Sequence, residues 1–136
     1  MFSDHDVKIF KGKENNILAI LIPNEHHSEG IEFITDNSEY QQVAVMHHTK
    51  GHIITPHFHN KIYREVYYTN ETLIIKKGIL RVFLFESNEV VYNFEIKKGD
   101  IITLLSGGHG FEVIEDVDMV EIKQGPYLGD IDKTRF

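Results

Sequence analysis

The sequence predicts an all-β domain, folded as a sandwich or barrel, and three observations lead to that class. Short apolar or alternating runs recur along the chain, each bounded by turn residues. β-Branched and aromatic residues dominate these runs, which suits a pleated, half-buried surface. No stretch keeps a 3.6-residue apolar period for three turns, so long helices have no place.

Taken in order, Ile17 to Ile22 is an apolar run of strand length, followed by Ile31 to Thr35 and Gln42 to His48. After the Lys50-Gly51 turn come His52 to His59 and Arg64 to Tyr68. Thr72 to Lys76 and Ile79 to Phe85 flank Lys77-Gly78, and Ser87-Asn88 leads to Val90 to Ile96. Gly99-Asp100 opens Asp100 to Leu105, and Gly107-Gly108 precedes Phe111 to Ile114 and Asp118 to Lys123. The glycine or asparagine in each turn tolerates positive φ. Short helix is left only to Asn24 to Glu29 and to the tail after Gly129.

A chain of 136 residues without repeat, low-complexity segment or linker reads as one domain, residues 1–136. Its two ends, before Lys8 and after Pro126, are the expected places for mobility or for exchange with a partner subunit. Cysteine is absent, which excludes thiolate metal sites and leaves His, Asp and Glu as ligands. A formal net charge of −7 argues against nucleic acid, because Lys76-Lys77 and Lys97-Lys98 are too short and dispersed to make a basic face. Met1 to Asp6 lacks the basic start and apolar stretch of a signal peptide, and no apolar run reaches membrane-spanning length, so a cytoplasmic protein is expected.

Function points to metal chemistry. His57 and His59, separated by one residue, share a face if their segment is a strand. With Glu71 and His109 they offer three imidazoles and a carboxylate, a set suited to iron, manganese, nickel, cobalt or zinc. His5, His26, His27, His47, His48 and His52 lack such a spacing and read as surface or structural residues, with adjacent His47 and His48 on opposite strand faces. Tyr63, Tyr67, Tyr68, Phe83, Phe85 and Phe111 read as packing groups, and the acidic run Glu112, Glu115, Asp116, Asp118 as a solvated edge and turn. Neither a Gly-x-Ser-x-Gly elbow around Ser106 nor a nucleotide-binding glycine loop is present.

Gly51, five residues, His57, one residue, His59, then Glu71, six residues and Gly78 resembles the first motif of the cupin superfamily. Gly99 through Gly107-Gly108-His109 resembles a degenerate second motif, and together the two span about residues 40–125. The stretch His109 to Glu112 with Lys123 to Tyr127 is further similar to small single-domain cupins encoded near polysaccharide-biosynthesis genes. There are two departures from the family pattern. Eleven residues separate His59 from Glu71 where three or four are usual, making Asn60 to Asn70 an insertion and Glu65 a rival ligand. Glu71 is preferred because it keeps the distance to Gly78. Leu105 replaces the usual proline, and the segment before His109 is one residue short.

The resemblance implies a double-stranded β-helix, or jelly-roll barrel, in which His57, His59, Glu71 and His109 hold one divalent transition metal. Four protein ligands around an ion preferring six leave two positions for water, dioxygen or a bidentate substrate. Gln124 near the pocket, with Tyr63 or Arg81 at its rim, would bind polar substrate groups. The expected function is an enzyme acting on a small polar substrate such as a sugar or sugar derivative, by isomerisation or epimerisation. A metal-dependent dioxygenase and a non-catalytic carbohydrate-binding or regulatory cupin are the alternatives. The resemblance also implies a homodimer.

Overall fold

A computed structural model describes residues 5–136 and forms eight strands: β1 Lys8–Lys11, β2 Ile17–Ile22, β3 Gly30–Phe33, β4 Ala44–His47, β5 Glu71–Glu86, β6 Glu89–Lys97, β7 Ile101–Leu104 and β8 Gly108–Lys123. All pairings are antiparallel. One sheet runs β1-β2-β7-β5-β6, with β8 on the other side of β5, and it curls strongly into a half-barrel. β3 and β4 form a separate two-stranded sheet. The chain is thus all-β, as its composition requires.

β5 organises the half-barrel. Its first half pairs with β7, its second half with β6, and nearly its whole length with β8. The runs Thr72 to Lys76 and Ile79 to Phe85, expected as two strands, are one strand bent at Gly78. There φ is +87°, and a Cβ would stand 2.0 Å from the carbonyl oxygen of Asp116 on β8. Only glycine permits so close an approach at such a φ. The facing register shifts lie between Ile75 and Leu80, so Phe111 to Ile114 and Asp118 to Lys123 likewise merge into a single bent β8.

Alternation along β5 sends Leu80, Val82 and Leu84 inward, where they meet Leu18, Leu21, Ile96, Ile102 and Leu104. Burying each such aliphatic side chain contributes about 1.5–3 kcal/mol. β1, absent from the expected strands, pairs with β2 and delivers Phe10 to the same core, stacked on Phe94 with ring centroids 4.4 Å apart. β8 differs from the other long strands, since most of it is exposed, Val113, Met119, Val120 and Ile122 included.

Two expected strands do not form. His52 to His59 and Arg64 to Tyr68 lie in an irregular segment that is exposed from Gly51 to Tyr68. Pro56 has no N–H to give a ladder, and both edges of β5 are already occupied, so the alternating pattern finds no partner strand. The segment Asn24 to Glu29 is turn rather than helix, and the tail carries one 3₁₀ turn, Gly129–Asp132. The expectation about the N-terminal end falls partly on residues 1–4, outside the described residues.

Candidate metal centre

Glu71 opens β5 opposite Leu104 of β7, and the corner Leu105 to Gly107 returns the chain so that His109, at the start of β8, lies beside it. Their contact is 3.3 Å between Glu71 Oε2 and His109 Nε2. The ladder explains why this matters. His109 is the register partner of Leu84, thirteen residues along β5 from Glu71. On a flat ladder that is about 40 Å. The contact therefore exists because β5 and β8 bend at Gly78 and bring their two ends together.

Glu71 is 8% exposed. The hydrogen bond from His109 holds its carboxyl below the usual carboxylate range, outweighing the opposing effect of burial; the charges of His109, Lys123 and Lys133 act in the same downward direction. An ionised carboxylate and an imidazole with ligand atoms 3.3 Å apart suit two adjacent positions on one ion, because metal bonds of about 2.0–2.2 Å at right or tetrahedral angles separate ligand atoms by roughly 3–3.5 Å. The pair faces an open cleft of about 1240 Å³. Tyr67, Tyr68, Phe85 and Phe111 line it, and the tail from Ile131 to Phe136 forms one wall. Thr69 Oγ1 donates to Asp132 at 2.7 Å, and Phe136 packs edge-on against Phe85, so the tail lies on its own chain's cleft.

The other two expected ligands stand apart from this pair. His57 and His59 are on the exposed segment, their ring centroids 5.5 Å apart. His57 Nδ1 donates to the carbonyl of Thr55 at 2.7 Å, which leaves its Nε2 lone pair for a ligand. Glu65, the rival carboxylate, accepts hydrogen bonds from Tyr63 at 3.0 Å and Tyr67 at 3.2 Å and lies in the same exposed segment. The carboxylate against His109 is Glu71.

The three expected substrate-binding residues have structural partners. Tyr63 is 84% exposed and is not part of the cleft wall. Arg81 lies across from Glu95 on β6 and Glu112 on β8, pairs with both, and bonds Asn93 at 3.0 Å. It is a cross-strand ion ladder on the face opposite Leu80 and Val82. Gln124 accepts from the Asn70 backbone N–H at 2.9 Å and donates to the Tyr68 carbonyl at 3.3 Å, bracing the chain where it enters β5.

A further cluster joins two histidines that the sequence reads as surface residues. His27, Glu29 and His47 place three ligand atoms within 4.8 Å of one another and could hold a metal ion; it is the one such group among the described residues. The signal was available in the spacing His27-x-Glu29, the same one-face rule that singles out His57 and His59. What local spacing hides is His47, which arrives from the neighbouring strand.

Compared with protein-family models, curated proteins and solved structures, the chain matches none of them. No helix among the described residues is long and apolar enough to cross a membrane.

Proposed function

We propose that this chain is a metal-binding barrel protein of the cupin type that acts on a small polar substrate, a sugar or sugar derivative, in the open cleft. The observation that carries the reading is the Glu71–His109 contact at the cleft. Two ligands from strands far apart along one ladder converge there, with the carboxylate held ionised and largely buried. His57 and His59 stand apart on the exposed segment before β5, and in this reading that segment folds over the cleft to bring them to the ion.

When bound, a divalent transition metal supplies Lewis acidity toward a carbonyl or hydroxyl of the substrate, the chemistry of sugar isomerisation and epimerisation. The chain's own residues do the rest. Tyr67, Tyr68 and Phe111 offer aromatic walls for the apolar face of a sugar ring, while Asp132, Lys133 and Arg135 present polar groups from the tail. The Glu71 carboxylate stays deprotonated through the neutral range, so it competes poorly for protons and well for a cation.

The test is metal content. Protein stripped with chelator, reconstituted with iron, manganese, nickel, cobalt or zinc and desalted is expected to retain one ion more per chain than Glu71→Gln or His109→Ala. Equal retention by wild type and both variants rejects the reading. Oxygen uptake by iron-loaded protein would replace the isomerase reading with the dioxygenase one.

A further inference from the structure

We propose that one end of the β3–β4 sheet, with the stretch leading into β3, carries a second, separate metal site, a zinc-binding centre made by His27, Glu29 and His47. It is independent of the Glu71–His109 pair and stands whether or not that pair holds an ion.

Neighbouring contacts hold the three side chains in place. Ser28 is 9% exposed, and its hydroxyl donates to the Val45 carbonyl of β4 at 3.1 Å. That fixes the chain between His27 and Glu29 against its neighbour. Ser28 is buried while His27 and Glu29 on either side of it are exposed, in the irregular stretch just before β3. Upstream, His26 is fastened by Glu32 at 2.7 Å, and its Nδ1 donates to the backbone carbonyl of His5 at 3.0 Å. The approach to β3 is thus anchored on both sides of His27. His47 then faces this pair from β4, where it is the register partner of Gly30, next to Glu29.

The ligand atoms are already grouped. His27 Nε2 stands 2.9 Å from Glu29 Oε1, and the His27 and His47 rings lie 4.8 Å apart at 60°. Tetrahedral zinc needs ligand atoms separated by roughly 3.3–3.5 Å, so from a grouping within 4.8 Å the exposed side chains must adjust by about 1.5 Å at most. Two imidazoles and one carboxylate form a recurrent three-ligand zinc set with a fourth position left for water.

The experiment isolates this site by removing the other one. In the quadruple variant H57A/H59A/E71Q/H109A, freed of metal by chelator, calorimetric titration with Zn²⁺ is expected to give one ion per chain. Adding His47→Ala or His27→Ala is expected to weaken that binding by roughly 100-fold or more, since each ligand carries a few kcal/mol of the total. No zinc bound by the quadruple variant, or unchanged binding after His47→Ala, overturns the proposal. In the wild-type protein, the imidazole ¹H–¹⁵N resonances of His27 and His47 are expected to shift together with Zn²⁺; resonances that stay in place overturn it as well. Failure of the cleft reading is seen elsewhere, as equal stoichiometry in wild type and quadruple variant.

Discussion

Substituting alanine for Gly78 tests the bend that brings Glu71 to His109. The added Cβ would lie 2.0 Å from the Asp116 carbonyl oxygen, 2.7 Å from its carbon and 2.9 Å from the Glu115 carbonyl oxygen, all backbone atoms that no rotamer change can move. The φ of +87° adds a left-handed penalty of about 1–2 kcal/mol for a residue with a Cβ, and the overpacking adds about 1–3 kcal/mol. The expected loss is therefore about 2–5 kcal/mol. Gly51 supplies the control: its φ is +91°, but nothing lies within 4 Å of its Cβ position, so Gly51→Ala bears the conformational penalty alone. For a chain of this length, about 1 kcal/mol corresponds to roughly 3–4 °C in Tm. Gly78→Ala should melt about 6–20 °C below wild type and Gly51→Ala about 3–8 °C below. Thermal unfolding followed by far-ultraviolet circular dichroism reads this directly, since the chain has no tryptophan. If the two variants melt within about 2 °C of each other, the close approach at Asp116 is not what costs stability, and the account of the bend fails.

In metal-free buffer, Glu71→Gln should narrow its stability gap to wild type as pH falls. The folded carboxyl sits below its unfolded value near 4.5, so its contribution is present above that pH and is lost as pH drops through the folded value; urea midpoints with a constant gap from pH 7 to 3 refute this. His26 behaves in the opposite sense, because the hydrogen bond to Glu32 raises its pKa above 6.5. The advantage of wild type over Glu32→Gln, a few tenths to about 1 kcal/mol for a partly exposed pair, should be full below pH 6.5 and shrink as pH rises through the raised value; an advantage that grows with pH contradicts the pairing. Gln124→Ala leaves the N–H of Asn70, a residue 1% exposed, without its acceptor and should cost about 1–3 kcal/mol in urea unfolding. A neutral result would return Gln124 to the list of substrate-binding candidates.

Strands with their own burial pattern were readable from the chain. The apolar run of β2, the alternation of Leu80, Val82 and Leu84, and the turn at Ser87-Asn88 each encode their environment locally, and β6 and β7 fall close to their expected bounds. Features that depend on a partner were harder to read. Gly78 marks a bend within one strand rather than a turn between two, a difference decided by whether Asp116 stands opposite. The alternation of His52 to His59 specifies faces only if a neighbouring strand supplies hydrogen bonds, and no strand does. β1 carries little local signal because two of its four residues are lysines flanking Ile9 and Phe10, and only its register with β2 makes Phe10 a core residue.

The candidate site divides along the same physical line. Glu71 and His109 were paired in the sequence through motif spacing, and their contact depends on a curled ladder that joins residues 38 positions apart. His57-x-His59 is a purely local signal, satisfied equally by a strand inside a barrel and by an exposed segment. Local spacing therefore argues for a shared direction, and closure of the sheet argues for a shared site. By that standard Glu71 and His109 have the stronger claim to a common ion, and so do His27, Glu29 and His47, whose grouping combines an i, i+2 spacing with a cross-strand neighbour. The ligand test that matters most for the cleft is thus on His57 and His59. If alanine at both leaves metal retention unchanged while Glu71→Gln abolishes it, the ion is held by the sheet alone, and the segment from Gly51 to Tyr68 has another role.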